Sequence, residues 1–312
     1  MRDFSLPAAV RLAAAFLSLV AAAPVHAQST PQTSPAATSK EAREAEQRAA
    51  WQAASAVAIR GPADVTLLDQ AVLKLPKGDV FVPKAEAARI MRALGNTINE
   101  STFVGIVVGS GDDDQWIVVV RHIKEGYIKD DDAKNWDRDE LLKNLKDGTE
   151  EANKDRRTRG FPELEVIGWV EPPAYDALTH RLVWSLANKT KGEPDGQVNG
   201  INYNTYALGR DGYFSLNLLT NSRRISRDKG VAHELLADLG YNSGKRYEDF
   251  NSATDHIAAY GLAALIGGVA AKKLGLFALI FAFAVKFAKV IAIGALALGA
   301  GVVKFFRRKP AA

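Results

Sequence analysis

Apolar positions along the middle of this chain change their period repeatedly. Residues 65–75 and 79–82 read as short strands around Pro76-Lys77-Gly78, and residues 84–94 then place apolar side chains near i, i+3 and i+4, as a helix does. Dense β-branched runs over 103–108 and 116–120 bracket the turn-forming stretch Gly109 to Asp114 and predict a hairpin. Asp137 with Glu140 three residues on marks a helix start, and the apolar positions Leu141, Leu142 and Leu145 carry that helix to about Arg157. A strand over 163–171 is expected to stop at Pro172-Pro173. Leu182, Trp184 and Leu186 share one face of the next strand, over 181–187. Strands over 201–208 and 213–219, joined by Gly209-Arg210-Asp211-Gly212, form a second hairpin, and a last helix spans about 227–239. Strands that come in adjacent pairs predict an α+β class, a mainly antiparallel sheet with helices packed on it.

The two ends follow other patterns. Residues 1–27 combine Arg2 and Arg11, an apolar stretch over 12–22 and Val25-His26-Ala27, which reads as a secretory signal peptide. Residues 28–60 read as a flexible Ser/Thr/Pro/Gln linker followed by an exposed Ala-rich helix over 40–58, with Trp51 and Val57 available to dock it or to meet a partner. The extracytoplasmic α+β domain is assigned to 61–256. Residues 257–285 are expected to form apolar interfacial or membrane helices, 286–306 a transmembrane anchor and 307–312 a basic cytoplasmic tail.

Charge supports this layout. The formal net charge of +4 hides an acidic body, because the eight basic residues from Lys272 onward meet no acidic residue after Asp255. Positive charge beside an apolar segment suits a membrane anchor with its basic tail inside, whereas a nucleic-acid binder would carry it on the folded domain. The partner expected is therefore the inner membrane, with another envelope protein or a glycan as further partners and no nucleic acid. The absence of cysteine excludes disulfides, thiolate metal sites and cysteine nucleophiles.

The chemistry-bearing motifs are incomplete. His233-Glu234 begins like H-E-x-x-H, but position 237 is Ala; His233 reads as an ordinary, partly exposed helix residue. Ser226 to Lys229 matches S-x-x-K without its companion motifs, and residues 240–245 lack the spacing of a phosphate loop. Asp130, Asp132 and Asn135 offer oxygen ligands in a candidate cation loop, without the Gly an EF-hand requires at its sixth position. Asn202, Asn204, Tyr206 and Arg210, on one face of a strand, make a candidate binding face for a glycan or peptide. No catalytic set, metal or cofactor is assigned. The leading reading is a non-enzymatic binding or accessory module facing the periplasm. Its rivals are a hydrolase using carboxylates within 130–137 with Arg210 or Lys245, and a membrane scaffold working through residues 257–303.

Several segments resemble a known family. GYIKDDDA (126–133), GTEEANKDR (148–156), GWVEPPAYD (168–176), LVWS (182–185), NYNTYALGRDGY (202–213) and GKRYEDFN (244–251) are similar to those of an uncharacterised bacterial family of membrane-anchored proteins with a domain of unknown function, DUF2167. The resemblance covers about residue 61 to the C-terminus. It implies an envelope protein with a signal peptide and a C-terminal anchor, and implies no activity, cofactor or catalytic residue.

Overall fold

The computed structural model describes residues 40–96, 98–111, 113–158, 162–194 and 199–267. The expected signal peptide, the linker over 28–39, the anchor over 286–306 and the basic tail lie outside the described residues, as does the apolar stretch from 268 to 285. Among the described residues no helix is long and apolar enough to cross a membrane.

The fold is α+β and mainly antiparallel, as the paired strands predict. A long sheet holds eight strands: β1 (Ile59–Arg60), β4 (Asp79–Pro83), β5 (Phe103–Gly109), β6 (Ile117–Ile123), β7 (Leu164–Asp176), β8 (Arg181–Thr190), β9 (Gly200–Gly209) and β10 (Gly212–Asn221). Their spatial order is β1-β4-β5-β6-β10-β9-β8-β7. A small sheet of β2 (Ala63–Leu67), β3 (Ala71–Leu75) and β11 (Leu239–Tyr241) lies on one face of it. There Leu67 and Leu73 meet Val118, Tyr203 and Leu216, and α4 (Ile225–Ala237) adds Leu235 to the same core.

The opposite face carries helices in two groups. Over β4, β5 and β6 sit α1 (Lys40–Val57) and α2 (Lys84–Ala93), burying Trp51, Ala54 and Ile90 against Val82, Ile106 and Val119. The helix expected to be exposed is thus held along one face: Trp51 docks it, and Val57 stays in solvent. Over β7, β8 and β9 sit α3 (Arg138–Thr158) and the stretch from Ala258 to α5 (Ala263–Gly267), packing Leu145, Leu262 and Ile266 on Leu182, Trp184 and Leu186. Leu182, Trp184 and Leu186 share a face, as their alternation requires.

Two strand boundaries differ from expectation. Residues 65–75 are a hairpin, not one strand, because Leu68 adopts φ 57° and turns the chain between Leu67 and Ala71. No Gly or Pro announces that turn. Pro172-Pro173 does not end β7, which continues to Asp176. A proline cannot donate to a ladder, but β7 is an edge strand, and its register with β8 slips on both sides of Glu171 to accommodate the pair. At the β9–β10 turn Gly212 has φ 138°, and a Cβ there would stand 2.0 Å from the carbonyl oxygen of Ile123, so only glycine closes this hairpin.

The start of α3 follows the D-x-x-E signature. Asp137 Oδ1 accepts hydrogen bonds from the backbone N–H groups of Asp139 (2.9 Å) and Glu140 (3.0 Å), two donors the helix cannot satisfy itself. Asp137→Ala is expected to cost about 1 kcal/mol, read as a shift of the denaturant midpoint at unchanged m-value.

Candidate functional site

Strand alternation places a row of polar residues between the strands covered by the two helix groups. On β6, Val118 and Val120 enter the core under the small sheet, so Val119 and Arg121 point to the helix side. On β10, Phe214, Leu216 and Leu218 face the small sheet, which sends Ser215 and Asn217 to the helix side. On β9, Tyr203 and Ala207 take the first face, leaving Asn202, Asn204 and Tyr206 on the second. The ladder aligns them: Arg121 opposes Ser215, which opposes Tyr206, and Val119, Asn217, Asn204 and Trp184 form the next row.

The result is a polar seam across the middle of an otherwise apolar sheet face. Asn217 Nδ2 donates to Asn204 Oδ1, and Asn204 Nδ2 donates to the Asn202 carbonyl at 3.3 Å. Tyr206 and Tyr213 stand edge to face, with ring centroids 5.8 Å apart. Arg121 is half-buried and has neither a hydrogen bond nor an ion pair among the described residues; the Ser215 hydroxyl beside it has no hydrogen bond there either. Burial pushes the Arg121 pKa below the ordinary arginine value, and the phenols of Tyr206 and Tyr213 act weakly the other way. Burial also raises both phenols, Tyr213 to about 12, so neither supplies a counter-charge near neutral pH.

Three of the four residues expected on the binding face share this seam: Asn202 half-buried, Asn204 and Tyr206 buried. Arg210 stands apart, in the β9–β10 turn. Its Nε and Nη2 donate to Asp255 Oδ2 and Oδ1 at 2.7 and 2.9 Å, and Nη1 donates to the Gly244 carbonyl at 3.2 Å. The hydrogen bond from Arg210 holds the Asp255 carboxyl well below the usual carboxylate range. Arg121, Ser215 and Asn217 are the seam residues that the sequence alone does not single out, and Arg121 is the charged one. Ending the strand at Val120 hid it; carrying the period-two pattern of Ile117 and Val119 one step further reaches it.

The residues of the expected cation loop point to different partners. Tyr175 Oη donates to Asp130 Oδ2 at 2.8 Å and lies 3.0 Å from His180 Nδ1, while His180 stacks on Tyr247 at 4.0 Å. Asp132 accepts from the backbone N–H groups of Leu262 (3.1 Å) and Ala263 (3.0 Å), fixing the start of α5. Asn135 closes the short 3₁₀ turn Asp131–Asn135, and Asp137 caps α3. Among the described residues no three His, Asp or Glu side chains are grouped to hold a metal ion. Lys245 pairs with Asp69 at 3.1 Å. His233 is exposed, and its Nε2 lies 2.7 Å from the Tyr203 hydroxyl, which donates to Glu171 Oε2 at 2.7 Å.

Comparison with known proteins adds a family. No curated protein matches the chain. Among solved structures, that of the cyanobacterial PsbP protein (CyanoP) from Synechocystis sp. PCC 6803 is similar with a TM-score of 0.34 and 11% identity, over 56% of this chain and 88% of that one. The family described as "Protein of unknown function (DUF2167)" matches residues 59–299, from β1 past the end of α5 and so across the whole of both sheets. The chain belongs to the DUF2167 family.

Proposed function

We propose that the chain is a non-enzymatic binding or accessory module of the bacterial envelope that captures its ligand at the polar seam. The observation that carries this reading is Arg121: a half-buried guanidinium with no hydrogen bond or ion pair among the described residues, set among amides and hydroxyls between two apolar clusters. A few convergent polar groups in apolar surroundings are what small-ligand and peptide sites share, and a half-buried cation with free N–H donors is suited to pair with an incoming acceptor. The signal-like residues 1–27, the apolar residues 286–306 and the basic tail support a periplasmic domain tethered to the inner membrane.

Photo-crosslinking in intact cells tests this. A photoreactive residue at Asn217, half-buried in the seam, is expected to give a discrete adduct whose captured molecule is chemically unchanged. The same residue at Leu178, an exposed turn position at 92% accessibility, is expected to give none. No adduct at Asn217 from folded protein, equal adducts at both positions, or a captured molecule that has been cleaved would overturn the proposal.

A further inference from the structure

We infer that the seam takes its ligand by a carboxylate group, gripped by the Arg121 guanidinium with the Ser215 hydroxyl beside it. This rests on the binding reading above and names the chemistry of the ligand. Arg121 and Ser215 are direct cross-strand partners on β6 and β10, so their Cβ atoms stand about 5 Å apart and both can reach one small group. Tyr206 continues the row on β9. The guanidinium offers a planar fork of N–H donors, and no described residue engages any of them.

Charge selects among anions. Among the described residues the groups acting electrostatically on Arg121 are the phenols of Tyr206 and Tyr213, which burial keeps neutral, so no described side chain compensates its positive charge. A carboxylate brings one negative charge and two coplanar acceptors, matching the fork and leaving the seam neutral. A phosphate dianion would leave a net negative charge in half-buried surroundings, which is unfavourable. The edge-to-face rings of Tyr206 and Tyr213 give an apolar wall for whatever body carries the carboxylate.

The test uses the full chain in mild detergent and follows its thermal midpoint at matched ionic strength. Acetate and benzoate are the probes, with acetamide and benzamide as neutral matches, inorganic phosphate as the dianion, and one tripeptide with a free or an amidated C-terminus. The acids are expected to raise the midpoint saturably and the amides to leave it unchanged. Arg121→Gln is expected to weaken acid binding by at least about tenfold, the loss of one bidentate charged pair. Its ligand-free midpoint is expected to stay close to the parent's, because a half-buried cation with no bond to a described residue is replaced by a neutral amide; should it fall, Arg121→Lys, which keeps the charge and loses the fork, is expected to bind acetate more weakly than the parent. Stronger binding of the free-acid peptide than of acetate identifies a carboxylate carried on a larger molecule; similar binding identifies a small free acid. Acids no better than amides, phosphate better than every carboxylate, or an Arg121→Gln response equal to the parent's overturns the inference. If that happens while the Asn217 adduct still forms, the carboxylate assignment fails and the binding reading stands.

Discussion

Replacing Asn153 with alanine is expected to lower the stability of this fold by about 3 kcal/mol, the cost of stranding two buried backbone groups and leaving a small void. Asn153 lies on the inner face of α3 at 0% exposure. Its Nδ2 donates to the Leu164 carbonyl and its Oδ1 accepts from the Leu164 N–H, both at 2.8 Å. Leu164 begins β7, the outermost strand of the eight, and pairs with Thr190 on one side only. The amide therefore stands where a ninth strand would, and closes the sheet edge against α3. Alanine offers neither donor nor acceptor, and water cannot enter to replace them. Asn153→Asp keeps the acceptor for the N–H but sets a carboxylate against the carbonyl, so it is expected to destabilise as well. Chemical denaturation of the full chain, followed by tryptophan fluorescence, measures both; a loss under about 1 kcal/mol for alanine would refute the edge-closing role.

Asn153 also shows where sequence reasoning stops. It sits in GTEEANKDR, a run whose composition predicts a solvated helix face, and nothing local reveals that one amide points inward to a strand eleven residues on. The hairpins were legible because their turns contain Gly209 and Gly212, or Gly109 and Gly111, and their strands alternate. The β2–β3 turn was not, since Leu68 takes a left-handed conformation that leucine rarely adopts. The candidate face was legible as a period-two set on β9. That set identifies Asn202, Asn204 and Tyr206 as neighbours, but only the register brings Arg121, Ser215 and Asn217 beside them from two other strands. Arg210 illustrates the opposite limit. It falls in the same periodic set, yet a carboxylate 45 residues away claims it. Long-range pairing of charges is a property of the fold, and no spacing rule within a segment encodes it.

Asp79→Asn is expected to stabilise the protein at alkaline pH by about 2 kcal/mol and to do little in acid. Asp79 opens β4, where its backbone carbonyl accepts from the Gly61 N–H at 2.9 Å and its N–H donates to the Pro76 carbonyl at 3.2 Å. An asparagine keeps both bonds. The side chain is half-buried, and burial, with the nearby carboxylates of Glu234 and Asp114 adding to it, pushes its pKa up to about 7 from the ordinary 3.8. Asp114 is itself held in place by Arg227 at 2.8 Å and by the Gly111 N–H at 2.9 Å. A carboxyl whose folded-state pKa lies above its unfolded value keeps its proton longer when folded. The stability it contributes is complete below the unfolded pKa and is lost as pH rises through the folded one. The full shift would correspond to roughly 4 kcal/mol; solvent reaching the half-exposed carboxyl reduces the expected gain to about half of that. Asparagine cannot ionise, so the gap between variant and parent should be small at about pH 4 and widen steadily to about pH 8. Unfolding midpoints measured at both ends of that range decide the matter: a gap that is the same at each would mean that Asp79 is already ionised in the folded protein, and that the clustered carboxylates of β4, the β5–β6 turn and α4 impose no cost on the fold.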